Sequence, residues 1–177
     1  SDSEIIDRFT RAYTENRDSV GFNPTTRRWY APKGAGYDPN NRGMGVDINY
    51  LPEGVSLHTD SKGTYLTEEE ERAARYAKME EANSSYNQRL RYAQKVIGST
   101  NVPSEYKKAL VMDAIYNLGA GNVANVLFED RELMNLLLNG TDEEFRTYIQ
   151  QYWDSNSGKV IKPRAERIKM QNIFLDA

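Results

Sequence analysis

From Thr67 to Ile97 the chain runs without a proline or a glycine, and no other stretch restricts the possible folds as strongly. Thr67 and Glu70 have the spacing of a capping box, which opens a helix by satisfying its first free backbone N–H groups. Ala73, Tyr76, Ala77, Met79, Tyr86, Leu90, Ala93 and Ile97 then recur at helical spacing, and Gly98 supplies the stop. Glu68 to Glu71 form a charged first turn, which the helix dipole favours. A helix this long, exposed on part of its length and packed on the rest, would join a small irregular lobe to a helical lobe.

The flanking segments fit that picture. Ser3 caps an expected helix to about Arg17, with Ile5, Ile6, Phe9, Ala12 and Tyr13 on one face. Asp18 to Lys62 is rich in proline and glycine, with Phe22, Trp29, Tyr30, Tyr37 and Tyr50 interspersed, and reads as irregular structure with short strands. Thr25–Tyr30 and Gly43–Asn49 are the expected hairpin, connected by Ala31–Asn40. After Gly98 the expected helices are Ser104–Leu118, a turn or helix around Val123–Phe128, Arg131–Asn139, Thr141–Trp153 and about Arg164–Leu175. The fold class is therefore α+β, predominantly α.

At 177 residues with 38% hydrophobic content, the chain fits one domain, or two lobes sharing one core. The absence of cysteine excludes disulfides and thiolate chemistry, and a single histidine, His58 in a polar loop, excludes a multi-histidine metal site. No cofactor is called for. A net charge of −3 with acidic and basic residues well mixed disfavours nucleic acid and membrane surfaces as partners, and no apolar run approaches the roughly 18 residues of a membrane span. The start, Ser1-Asp2-Ser3-Glu4, is neither a signal peptide nor an initiator methionine, so a processed chain or a piece of a larger protein is expected.

Carboxylates remain as the chemistry to look for. The run Asn41-Arg42-Gly43-Met44-Gly45-Val46-Asp47-Ile48-Asn49 sets a lone acid, Asp47, behind two glycines that let another group approach the backbone closely. Glu15 sits near the C-terminal end of the first expected helix, where the dipole disfavours a charged carboxylate and suits a proton donor. Two carboxyl groups on opposite walls of a cleft suffice for glycoside hydrolysis. The plainer reading has Asp47 capping a turn, Gly43 and Gly45 easing strand packing, and Glu15 as surface charge. Asp38 is a reserve acid in the turn-like Asp38-Pro39-Asn40.

The order of helix, Glu, hairpin, long helix and helical lobe resembles the phage-type lysozyme superfamily over nearly the whole chain. Asn41–Asn49 is similar to the Thr-Ile-Gly-Tyr-Gly-Tyr-Asp-Leu-Gly motif of pesticin-like muramidases, with Gly43, Gly45 and Asp47 on the matching glycines and acid, and Asn41 at the Thr. Ala109 to Gly121, ending Tyr116-Asn117-Leu118-Gly119-Ala120-Gly121, is similar to a family helix that lies beside the cleft. Trp153 to Arg167 resembles the family's terminal segment. Glu15 falls on the family's early Glu, although Asn16 replaces the Gly that usually follows.

The resemblance implies a lysozyme-like domain over 1–177, with a small lobe at about 15–66, a linking helix at about 67–97, and a helical lobe at about 98–177 plus the N-terminal helix. It implies a muramidase that hydrolyses the β-1,4 bond between N-acetylmuramic acid and N-acetylglucosamine in peptidoglycan. Glu15 would be the general acid, Asp47 the second carboxylate, and Asn41 would help place the water. Gly43, Gly45, Tyr116 and Asn117 would contact the glycan, with Arg164 or Arg167 supporting Glu15. The partners implied are peptidoglycan strands and other domains or components of a phage particle or toxin, acting in the bacterial periplasm or at the cell wall. The changes at Asn16 and Asn41 also fit a glycan-binding or structural module without turnover, and a lytic transglycosylase would need only the Glu.

Overall fold

The Thr67–Glu70 capping box forms as expected. Thr67 N–H donates to Glu70 Oε1 at 3.0 Å, and Glu70 N–H donates to Thr67 Oγ1 at 3.2 Å. Helix α1 follows over Glu68–Ile97, roughly 45 Å at 1.5 Å per residue. It ends at Gly98, whose φ of +74° lets Ser99 N–H reach back to the Gln94 carbonyl, a Schellman closure.

The structure, a computed structural model, describes residues 20–118, 128–155, 168–169, 171–173 and 176. The expected N-terminal helix Ser3–Arg17, most of the Val123–Phe128 turn and most of Arg164–Leu175 lie outside these residues. What is described is an α+β chain dominated by helix. It divides into a unit spanning Thr10–Glu80 and a unit formed by Ser1–Phe9 with Glu81–Ala177, so the division falls inside α1. No helix among the described residues is long and apolar enough to cross a membrane.

In the first unit, strands β1 (Phe22–Asn23), β2 (Arg28–Tyr30), β5 (His58–Asp60) and β6 (Gly63–Thr67) form an antiparallel sheet in the order β1-β2-β6-β5. Strands β3 (Asn41–Arg42) and β4 (Val46–Asp47) form a separate two-stranded ladder. The expected pairing of Thr25–Tyr30 with Gly43–Asn49 is therefore corrected. Pairing β2 with β6 puts Trp29 opposite Leu66 and buries both, which the alternating pattern of a half-buried strand rewards. Gly43 and Gly45, at φ +72° and +79°, reverse the chain, so the segment folds back on Asn41–Arg42 instead of running on as one strand. His58 lies in β5, not in a loop. Val46, Leu66 and Ala74 form the core here, with Leu51, Val55 and Leu57 packed against it.

In the second unit, α2 (Glu105–Leu118), α3 (Arg131–Asn139) and α4 (Asp142–Ser155) lie within two residues of the sequence expectation. Asp130 caps α3 by accepting from Glu132 and Leu133 N–H, and Thr141 with Glu144 forms a second capping box. Ala109 to Met112, Ala114 and Ile115 are all buried, the signature of a helix enclosed on every side. Leu133, Met134, Leu137 and Leu138 supply one face of α3, and Phe145 and Ile149 one face of α4. Lys107 is buried with its ammonium donating to the carbonyls of Leu136, Leu137 and Gly140 at the end of α3, where its charge also complements the helix dipole.

The helix starts also set an acid limit. Arg27 hydrogen-bonds Glu68, and this contact outweighs burial and lowers the carboxyl from its ordinary 4.5. At Glu70 burial opposes the charge, but Thr67 N–H and His58 more than offset it. Thr141 lowers Glu144 in the same direction. A carboxyl with a depressed folded pKa stabilises the fold above its unfolded pKa, and that contribution is lost as pH falls through the folded value. The melting temperature should hold steady from pH 7 to 5 and fall below about pH 4.5. In Glu70→Gln the acid-induced fall measured by circular dichroism should be smaller.

Candidate functional site

The β3–β4 ladder brings two of the expected site residues together. Asn41 and Asp47 are a register pair, directly opposite one another, and Arg42 pairs with Val46 one step nearer the turn. The turn is the three residues Gly43-Met44-Gly45, with Gly45 N–H donating to the Gly43 carbonyl at 3.1 Å. Asp47 closes the ladder and opens a single 3₁₀ turn over Ile48–Tyr50, its Oδ1 accepting from Asn49 N–H at 2.8 Å. Among the described residues Oδ2 has no hydrogen-bond partner, and the side chain is half-buried. Asp47 therefore does cap a turn, and it does so with one oxygen.

Glycine at 43 is required by helix α1. A Cβ on Gly43 would lie within 2.7 Å of Glu71 Cδ and Oε2, so the Glu71 side chain occupies the space that any larger residue would need. Glu71 Oε2 also accepts from Met44 N–H at 3.0 Å, and Lys78 Nζ donates to the Gly45 carbonyl at 2.8 Å. Glu71 is 1% exposed and Arg75 3%, and Arg75 Nε lies 3.2 Å from Glu71 Oε1. A buried carboxylate is tolerated only when paired and hydrogen-bonded, and Arg75 with Met44 meets both needs.

The ladder is also anchored by Arg42, which is 3% exposed. Its guanidinium donates to the carbonyls of Pro39, Asn41 and Thr64 and to Thr64 Oγ1, at 2.6 to 3.2 Å. All these acceptors are neutral, and burial lowers the pKa of the guanidinium from its ordinary value. A planar fork of donors suits this task, because it reaches β6 and the Pro39–Asn41 backbone at once. The reserve acid Asp38 is exposed and accepts from Asn40 N–H, a local turn bond.

The remaining expected site residues fall elsewhere. Glu15 and Arg164 lie outside the described residues. Tyr116 is 4% exposed and belongs to the core of the helical unit, and Asn117 lies near the end of α2. Of the aromatic residues in the irregular segment, Trp29 is core, packed 4.7 Å from the Phe22 ring, whereas Tyr50, three residues after Asp47, is 84% exposed.

Glu71, Arg75, Arg42 and Lys78 did not emerge from the sequence as site residues, yet the signal for the first two was present. The buried stripe of α1 runs through Met79, Ala82, Tyr86 and Ala93. Extended backward in steps of three and four, it falls on Arg75 and Glu71, charged residues at positions where the helix faces inward. Charges at core positions mark a constraint beyond packing. No family model matches the chain, and neither a curated protein nor a solved structure matches it.

Replacing Arg42 by Lys keeps the charge but removes the fork. Arg42→Lys should lose about 1–3 kcal/mol of stability in urea denaturation, from acceptors left without donors. A loss below about 0.5 kcal/mol would show that water or another donor serves these acceptors as well.

Proposed function

We propose that this chain is a lysozyme-like muramidase, with Glu15 as general acid and Asp47 as second carboxylate. The observation that carries the reading is the register pair of Asn41 and Asp47, held beside a glycine turn, with one Asp47 oxygen lacking a hydrogen-bond partner among the described residues. The resemblance of Asn41–Asn49 to the muramidase motif supports it, as does the long helix between a sheet-and-loop segment and a set of short helices. In this scheme the bond from the muramic acid C1 to the bridging oxygen breaks, and Glu15 gives its proton to that oxygen. Asp47 stays ionised and either takes a proton from the attacking water or attacks C1 itself, and the carboxyl separation decides between them. Asn41 can donate to and accept from that water through its carboxamide. The net charge of −3 suits a domain brought to the cell wall by a phage particle or toxin, not one that adheres by its own charge.

One observation favours a second reading, a glycan-binding module without turnover. Asp47 already has the structural task of capping the Ile48–Tyr50 turn, and Asn41 stands where the resembled family has Thr. Release of reducing ends from purified peptidoglycan separates the two. Wild-type protein should release them, and Glu15→Gln should lower the rate at least about 100-fold, the lower range for losing a general acid. Retention on insoluble peptidoglycan with no release by either protein would establish the binding module. Anhydro-muropeptide products with an active Asp47→Asn would establish a lytic transglycosylase.

A further inference from the structure

The geometry points to Glu71 as the positioning residue of the Asp47 site, a task that rests on the muramidase reading and assigns it a residue that the resemblance does not supply. The β3–β4 ladder has only two residues in each strand, too few to hold its own register in water. Its turn holds two glycines at positive φ, which leaves the backbone freer than any other residue type would. Something outside the ladder must therefore fix it, and the first turns of α1 do. The Glu71 side chain fills the space above Gly43 and accepts the Met44 N–H, while Lys78, two turns further on, binds the Gly45 carbonyl.

All three turn residues are thus tied to one rigid helix. Asn41 and Asp47 lie two residues to either side of that turn, so a turn fixed on α1 fixes the separation and orientation of the pair. Arg75 Nε donates to both Glu71 carboxyl oxygens and so aims the side chain at the Met44 amide. Glu71 has no need to touch the glycan. It acts through the Met44 amide and Gly43 on the placement of Asp47, and placement by a fraction of an ångström is enough to change a rate.

The test compares Glu71→Gln, which keeps length and an acceptor, with Glu71→Leu, which keeps bulk and removes the acceptor. Each is checked for folding by circular dichroism, then assayed for kcat and KM on peptidoglycan and for amide hydrogen exchange at Met44 and Asn49, the latter reporting the Asp47 carboxylate. Glu71→Gln should keep both amides protected and kcat within about threefold of wild type. Glu71→Leu should exchange at both amides at least tenfold faster and lose at least tenfold in kcat at a KM within about threefold. If Glu71→Leu does not fold because Arg75 loses the Glu71 carboxylate, Glu71→Leu/Arg75→Met, compared with Arg75→Met alone, makes the same comparison. Protected amides and unchanged kcat in the folded leucine variant would overturn the assignment and leave Glu71 as packing. If the wild type releases no reducing ends, the hydrolase reading fails, and the exchange at Asn49 still decides whether Glu71 places Asp47.

Discussion

A carboxylate at 1% exposure is the constraint on which the strand-bearing unit depends. Leaving water costs Glu71 several kcal/mol unless partners replace its hydration. Arg75, one turn along α1, supplies the countercharge, and the Met44 amide supplies a hydrogen bond. The second partner is the consequential one, because it can be reached only if the chain bends tightly at Gly43 and brings its backbone against the helix. The bend at Gly43 follows from satisfying that acid, and Lys78 and Arg42 hold the rest of the ladder.

Arg42 answers the same kind of need from within the ladder, at β3. Its buried guanidinium donates to carbonyl and hydroxyl oxygens and ties the Pro39–Asn41 backbone to β6, with no countercharge among the described residues. Between them, Arg42 and Glu71 leave the ladder little freedom to slip. A one-residue slip would move Asp47 to the other face and expose Val46, one of the core residues. Charged side chains here do the work that a longer hydrophobic hairpin would do, and the acid they hold in place remains half-exposed.

The described helices were legible because their signals are local. Thr67 with Glu70 and Gly98 each act within a turn of where they stand and make the expected contact, and Asp130 and Thr141 with Glu144 cap their helices in the same local way. The sheet was less legible. Arg28–Tyr30 has two possible partners of similar character, and the choice of Gly63–Thr67 depends on Trp29 meeting Leu66 across a separation of 37 positions, which no local pattern encodes. In the candidate site, the Asn41–Asn49 run was found from its glycines and acid, and Asn41 and Asp47 do face each other. The reason for Gly43 was not legible in the run itself, because the group that approaches it comes from α1. Arg75 and Glu71 read as ordinary helix charges until the buried stripe of Met79, Ala82 and Tyr86 is extended back to them.

The central claim is that Asp47 shares a glycan-binding cleft with Glu15, and a crystal structure of the Glu15→Gln protein with a peptidoglycan fragment tests it most directly. The account predicts a glycosidic oxygen within hydrogen-bond reach of residue 15. It also predicts Asp47 on the opposite side of the sugar, with about 5–9.5 Å between the carboxylate of Asp47 and the carboxamide that replaces the Glu15 carboxyl. A fragment bound away from both residues, or a separation well beyond about 10 Å with no shared cleft, would contradict it.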